Sequence, residues 1–513
     1  VVYGGSTVLV RLLNYALVPL HTVAFAGQQA DYGVISELYA WVTFLNVVFM
    51  YGMETAFFRF AGRRGEGQAD TPQKVFGTAF GSLLLTTGLG AAALWIGAEG
   101  IAQWMHLPQG APYIRWFAAI IALDTLANVP FAALRLAAKP YRYAGVKLMN
   151  VITNVGLNAW FLGPLLVGQA TFLGHTYDPA IGVGYVFLAN LAASALTLLV
   201  LLPGVLRSGL GFDWGLWQRM MGYGLPFVFA GLAGMVNETL DRILLVRWLP
   251  GDTASNRAVV GVYSAAYKLS IFMSLAVQAF RMGAEPFFFR EADRSDAPRL
   301  YALVMRAFVP IGAAIFLGVA TLLGWFGLIL GSTYRDALYV VPILLVANLF
   351  LGVYYNLSVW FKLTDRTRHA VWLALAGALL TVAGNAWGIP RYGYWASAWT
   401  TLVAYGAMAM LSYAWGRRHY PVPYPVGRLL AIIMLAVVVY AGYFALEQAI
   451  GPAAPIGSGL EAVSNLPAGK SFGATAENPL LWFARLAAWA LFALGYWRLD
   501  GRRLWTELRG SNA

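Results

Sequence analysis

Gly52-Met53-Glu54-Thr55-Ala56-Phe57-Phe58-Arg59 and Gly283-Ala284-Glu285-Pro286-Phe287-Phe288-Phe289-Arg290 spell one pattern twice, G-x-E-x-x-F-F-R. Upstream of each copy, Gly33-Val34-x-Ser36-x-x-Tyr39 matches Gly261-Val262-x-Ser264-x-x-Tyr267. Further on, Asn158-Ala159-Trp160 matches Asn385-Ala386-Trp387, each followed by a proline, Pro164 and Pro390. Three motifs in one order, met twice, mark an internal duplication.

The medium in which the duplication folds follows from composition. Of 513 residues, 59% are hydrophobic and 11% charged, with a mean hydropathy of +0.63, against roughly 25% charged in a soluble domain. A soluble fold is excluded, and apolar runs of about 20 residues along the whole chain read as transmembrane helices. Spans are expected near 5–25, 33–57, 75–97, 113–134, 148–168 and 180–203, then near 220–249, 259–282, 302–329, 338–361, 371–389 and 394–415, and finally near 429–449 and 479–497. An amphipathic connector is expected around Phe212 to Gln218. The expected fold is therefore all-α and polytopic, with about fourteen helices. Matched motifs lie six helices apart, an even number, so the halves share one orientation and are related by an axis along the membrane normal. The expected organisation is an N-terminal six-helix lobe over 1–210, a C-terminal six-helix lobe over 211–418, and two appended helices with a tail over 419–513. Parallel lobes of this kind enclose a central cavity about which one lobe can rock against the other, the basis of alternating access.

The net charge of +12 reads as an orientation signal. Most Lys and Arg, including Arg59, Lys74, Arg498, Arg502 and Arg503, fall on the side that carries the termini. The opposite side carries Arg247, Arg257, Arg335, Arg391 and Lys470. Both termini are accordingly expected to be cytoplasmic, with basic loops near anionic lipid and no nucleic-acid partner. With no Cys and scattered His, thiolate chemistry is excluded, and no metal site or cofactor is expected. No Walker pattern occurs. The first external loop, Ala26 to Tyr32, is short, and the longest, about Ile450 to Asn478, holds two Glu, one Lys and no His. Enzymatic chemistry is not expected, and energy must come from an ion gradient, the membrane potential or the substrate's own gradient. The first apolar segment lacks a small-residue cleavage site, so no cleavable signal peptide is expected, and an opening at Val1 implies a few preceding residues.

Charges inside spans are costly and are the functional candidates. Asp124, mid-span in the fourth helix, is either a proton or ion site or the partner of a cation on another helix. Lys268, near the middle of the eighth helix, is the strongest cation candidate. In the seventh helix, Glu238 and Arg242 have the i, i+4 order that favours pairing, which leaves Asp241 over to balance Lys268 or to bind a coupling cation. Arg11 lies deep enough in the first helix to face a cavity. Arg115 and Arg306, near span ends, and Arg485, in an appended helix, are expected to snorkel. Glu54 and Glu285 recur near Arg59 and Arg290 in both halves, which favours a structural gate or hinge pair. Pro19, Pro226 and Pro310 permit bending within spans.

Tyr3-Gly4-Gly5 through Pro19, the Asp31-Tyr32-Gly33 turn, and Asn385 to Ala398 as N-x-W-x-x-P-x-Y-G-Y-x-A-S-A resemble the polysaccharide transporter branch of the multidrug/oligosaccharidyl-lipid/polysaccharide (MOP) exporter superfamily. Tyr394 stands where that branch has a small residue. The resemblance covers essentially the whole chain and implies a bacterial inner-membrane flippase of about fourteen helices. Its substrate would be an undecaprenyl-diphosphate-linked oligosaccharide for lipopolysaccharide or surface polysaccharide biosynthesis. Arg11 and Lys268 would then hold the diphosphate, and Asp124, Asp241 or Glu238 would couple transport to H+ or Na+. The partners implied are the lipid-linked oligosaccharide and membrane lipid, and the expected state is a monomer. Two alternatives stay open: an ion-coupled multidrug exporter of the MATE type, and a lipid II flippase.

Overall fold

The computed structural model describes residues 2–62, 71–107, 109–209, 211–364, 366, 368–450 and 479–504. The long loop after Ile450, with Lys470, lies outside them. The chain divides into two compact units, Val1–Val246 with Gly251–Ala258, and Arg247–Pro250 with Val259–Ala513.

The first unit runs α1 (Val2–Tyr15), α2 (Leu17–Ala24), α3 (Gln29–Met50), α4 (Met53–Gly62), α5 (Pro72–Ile96), α6 (Ala98–Trp104), α7 (Ala111–Leu136), α8 (Pro140–Phe161), α9 (Gly163–Val167), a two-residue hairpin of β1 (Thr171–Phe172) and β2 (His175–Thr176), α10 (Gly184–Ser208), α11 (Trp214–Gly224) and α12 (Pro226–Trp248). The next helix, α13 (Thr253–Lys268), begins in this unit and ends in the second. The second unit continues with α14 (Ile271–Arg290), α15 (Ala297–Thr321), α16 (Leu323–Gly327), α17 (Val341–Leu357), α18 (Val359–Leu363), α19 (Arg368–Tyr392), α20 (Tyr394–His419), α21 (Val426–Ile450) and α22 (Pro479–Tyr496). In the first unit α8 packs on α10, α10 on α7 and α7 on α5, while in the second α19 packs on α20, α20 on α17 and α17 on α15. The duplication is thus one of packing order as well as of motif. Within the second unit the later pair adds α21 against α15 and α22 against α21.

The repeated motifs have physical reasons. Asn158 and Asn385 are both fully buried, and each amide donates at 2.8 Å to the carbonyl four residues back, of Asn154 and Thr381. Each Oδ1 then accepts from a different helix or turn: His21 Nε2 at 2.8 Å in the first unit, Ser397 Oγ at 2.7 Å in the second. Phe57 and Phe288 are equivalent core residues. Gly52 breaks α3 from α4 with a φ of +75°, and the carbonyl of Gly224 lies where a Cβ would be, 2.1 Å away, so only glycine fits. Gly283, its counterpart, is helical with open space around it. The connector forms as α11, where Asp213 caps the helix by accepting from Leu216 N–H at 2.6 Å and pairs with Lys74 at 2.9 Å. Those contacts, the Leu216 N–H first, hold the Asp213 carboxyl below its ordinary range.

Among the described residues, eleven helices are long and apolar enough to cross a membrane, twelve with the broken pair α13 and α14, which bends by 48°. The chain is a multi-pass membrane protein. The expected fourteen also included α8 and α20, which are 22 and 26 residues long but fall short in apolarity. Asn150, Asn154 and Asn158 in α8, and Ser397 and Thr401 in α20, bond within or between helices, and Thr400 and Ser412 of α20 are buried, so these polar residues lower the apolarity without facing lipid.

Several charges expected to meet water are instead buried against partners. Arg257 lies inside α13 with its Nε 2.9 Å from Glu37 of α3, and both side chains are almost wholly buried. Its other nitrogens donate to the carbonyls of Met105 and His106. Gly33, one turn before Glu37, lets α3 approach: a Cβ there would lie 1.9 Å from the Arg257 carbonyl oxygen. Arg306 and Arg485 do not snorkel. Arg306 forms a bidentate pair with buried Asp500 at 2.9 and 3.0 Å, and Arg428 reaches the same carboxylate at 3.3 Å. Arg485 is buried, donating to Thr321 O at 3.1 Å and Tyr443 Oη at 3.2 Å. Only Arg115, paired with exposed Glu99 at 3.0 Å, behaves as a span-end residue. In each corrected case a partner on a neighbouring helix outcompetes water for the charge.

Replacing Arg257 with Ala strands the buried Glu37 carboxylate, which should cost about 3–5 kcal/mol. Denaturant titration of the purified protein should show this loss, and adding Glu37→Gln should recover much of it.

Candidate functional site

One group of embedded charges in the first unit gathers around α4, α7 and α8. Glu54 of α4 pairs with Arg135 at the end of α7, and the Arg135 guanidinium lies 4.7 Å over the Phe58 ring and 5.9 Å over Tyr143. Lys147 of α8 lies within electrostatic reach of Asp124, Glu54 and Arg135, with its ammonium 4.2 Å over the Phe131 ring. Asp124 of α7 also faces Tyr39 of α3, whose hydroxyl accepts from Asn190 at 2.9 Å. Asp124 and Glu54 therefore share one cluster of alternating sign. Asp241 is buried in α12, accepting from the Arg242 backbone N–H at 2.9 Å with the guanidinium 4.0 Å away. Arg242 reaches the main-chain carbonyl of Glu238 at 3.4 Å, and the Glu238 side chain is exposed. Arg11 is exposed on α1.

The second unit repeats the arrangement at Glu285, which pairs with Lys362 of α18 and with Arg281 at 3.5 Å. Arg281 in turn lies 4.7 Å over Tyr355. The partner stands 81 residues beyond Glu54 in one unit and 77 beyond Glu285 in the other, so the pair belongs to the duplicated design. Arg59 and Arg290 are not those partners: Arg59 stacks 4.0 Å over Tyr223, and Arg290 pairs with Glu291 at 2.9 Å. Five residues along a helix is most of the way to its far side, whereas neighbours are three or four apart. Lys268 is exposed and is the last residue of α13, at the break between α13 and α14. Among the described residues no group of three His, Asp or Glu is placed to hold a metal ion.

Residues 28–337 match the family model described as polysaccharide biosynthesis protein. The chain belongs to that family. Its fold is shared with solved structures of the MOP superfamily. The lipid II flippase MurJ, in an inward closed conformation, aligns over 97% of this chain and 98% of its own with a TM-score of 0.64 at 12% identity. An inward-facing multidrug resistance MATE family transporter aligns over 80% of this chain and 97% of its own with a TM-score of 0.60 at 14% identity. A search of curated protein sequences gave no match.

The segment matched to the polysaccharide biosynthesis family holds both G-x-E-x-x-F-F-R copies, Asp124, Lys147, Asp241 and Lys268. Sequence reasoning missed Lys147, Arg135 and Lys362. Lys147 reads as a loop residue because the apolar run begins at 148, whereas α8 starts at Pro140. The repeat itself held the signal for the other two: a cation recurring about eighty residues after each repeated Glu.

Glu285→Ala and Lys362→Ala should each destabilise the protein, and the double variant should be less destabilised than their sum by about 0.5–3 kcal/mol. A double-mutant cycle on detergent-purified protein checks this, and Arg290→Ala in place of Lys362→Ala should show no such coupling.

Proposed function

We propose that the chain is a flippase that moves a lipid-linked oligosaccharide, carried on undecaprenyl diphosphate, across the bacterial inner membrane by alternating access, with both termini cytoplasmic. The match to the polysaccharide biosynthesis family over residues 28–337 carries this reading. The extent of the fold supports it: the lipid II flippase structure accounts for 97% of the chain where the MATE structure accounts for 80%. The chain acts as a transporter, not a catalyst, and works as a monomer.

The diphosphate is the part of such a substrate that needs cations, held by charge-assisted hydrogen bonds. Arg11 and Lys268 fill that role. Both side chains are exposed on their helices, and Lys268 sits at a helix break in the middle of a span, where transporters of several folds place substrate contacts. Asp124, facing Lys147, is the coupling carboxylate for H+ or Na+, with Asp241 and Glu238 of α12 as further ion contacts. Glu54 and Glu285, engaged by Arg135 and Lys362, brace the bundles; Arg59 and Arg290 flank them.

Depleting the protein from cells that make it should raise the pool of lipid-linked oligosaccharide and abolish surface polysaccharide, as measured by chromatography of extracted lipids. Complementation with Lys268→Ala should lower transport at least tenfold at unchanged expression, the equivalent of losing one charged hydrogen bond of about 1.5–3 kcal/mol. The carboxylates Asp124 and Asp241 would also suit the binding of cationic drugs. Unchanged lipid pools with increased sensitivity to cationic dyes would establish that reading instead, and accumulation of lipid II alone would establish a lipid II flippase.

A further inference from the structure

In the second unit, a groove of about 680 Å³ opens between α19 and α20. The helices are joined at one end by the tight turn around Gly393, and the groove occupies the other end, where α19 begins and α20 finishes. His369, Arg418 and His419 line its mouth, and Leu379 and Leu411 line its depth roughly two to three helical turns further along. Among the described residues no carboxylate lines it.

The mouth is built rather than incidental. The His369 and His419 rings lie 5.3 Å apart, and His419 stacks on Trp360 at 5.3 Å with only 7° between the planes. Each Nδ1 meets a main-chain carbonyl, His369 that of Arg366 at 3.1 Å and His419 that of Trp415 at 2.8 Å. A carbonyl only accepts, so each Nδ1 carries the proton and Nε2 is left for a ligand. Arg418 beside them is exposed. Further in, Trp372 and Leu379 are 63% and 71% exposed, and on a membrane-spanning helix that surface meets lipid.

We propose that this groove is a binding site for an anionic glycerophospholipid, its phosphate held by Arg418, its headgroup hydroxyls donating to Nε2 of His369 and His419, and one acyl chain laid along Leu379 and Leu411. Charge complementarity selects the occupant. A mouth charged by Arg418, with no carboxylate among its described lining residues and opening onto an apolar channel, matches a molecule with a negative head and an apolar tail, as basic pockets between transmembrane helices do. Trp372 and Trp415 supply the amphipathic rings that favour the level of the headgroups.

Native mass spectrometry of the purified full chain, with phosphatidylglycerol and phosphatidylcholine of matched acyl chains, tests the site. The wild type should retain phosphatidylglycerol several-fold better than phosphatidylcholine. Arg418→Gln should reduce that retention about fivefold, the ~1 kcal/mol of one basic side chain at an anionic lipid surface. Because Arg418 is exposed, the thermal midpoint should not move in lipid-free detergent. Arg391→Ala, at the opposite end of α19, should leave retention unchanged. Equal retention of the two lipids, an equal loss in Arg391→Ala, or full retention in Arg418→Gln would each overturn the proposal. Displacement of phosphatidylglycerol by stoichiometric undecaprenyl diphosphate would also overturn it, by assigning the groove to a polyprenyl lipid.

Discussion

A charge carried into a membrane-spanning bundle has lost its water, and another group of the same fold has to answer it. An uncompensated Arg, Lys or Asp at mid-membrane costs about 2.5–3.5 kcal/mol on insertion scales, so the helices that carry such residues are held wherever their partners are. Arg257 ties α13 to α3 and, through two carbonyls, to the end of α6. Asp500 gathers Arg306 and Arg428, and with them α15, α21 and the segment after α22. Arg485 adds a second tie between α22 and the end of α15. The appended helices are in this way fastened to the second unit by ionic and hydrogen-bonded contacts at two heights, in addition to apolar packing. A ligand-moving bundle gains from such ties because they fix which helices travel as one body.

How much of this could be read from sequence depended on whether the property was periodic or relational. Apolar runs and the repeated motifs are periodic, and the multi-pass all-α fold and the duplicated packing order follow from them. The helices whose membrane character is weakest by apolarity, α8 and α20, carry buried Asn, Ser and Thr, so the same residues that build the interior dilute the signal of the span. Ion pairing is relational. Glu54 and Glu285 stood out because they repeat, but their partners lie 81 and 77 residues away on other helices, and nothing local to Glu54 points to Arg135. Proximity along the chain pointed to Arg59 and Arg290, which the helical turn carries to another face.

The candidate site divides along the same line. Asp124 and Lys268 were legible as charges within spans, and Lys268 proves to stand at a helix break that the apolar pattern runs straight through. Lys147 was hidden by a boundary, since α8 extends eight residues ahead of its apolar run. Arg257, counted as a loop cation, is among the most buried charges described. A basic residue near a span end has the same local sequence whether it points to water or into the protein, and only the neighbouring helix decides.

The break after Lys268 also has a mechanical meaning. Beyond it, α14 continues for 20 residues, a rod about 30 Å long, ending at the charged segment of Arg290, Glu291 and Arg294. A rod on a bent joint is a lever. Turning it by 5° about the break carries its far end roughly 2.6 Å, close to half the pitch of a helix, while Lys268 at the fulcrum hardly moves. A contact made at the middle of the span can thus be felt at one end as a displacement large enough to exchange ion-pair partners, without any helix having to unwind.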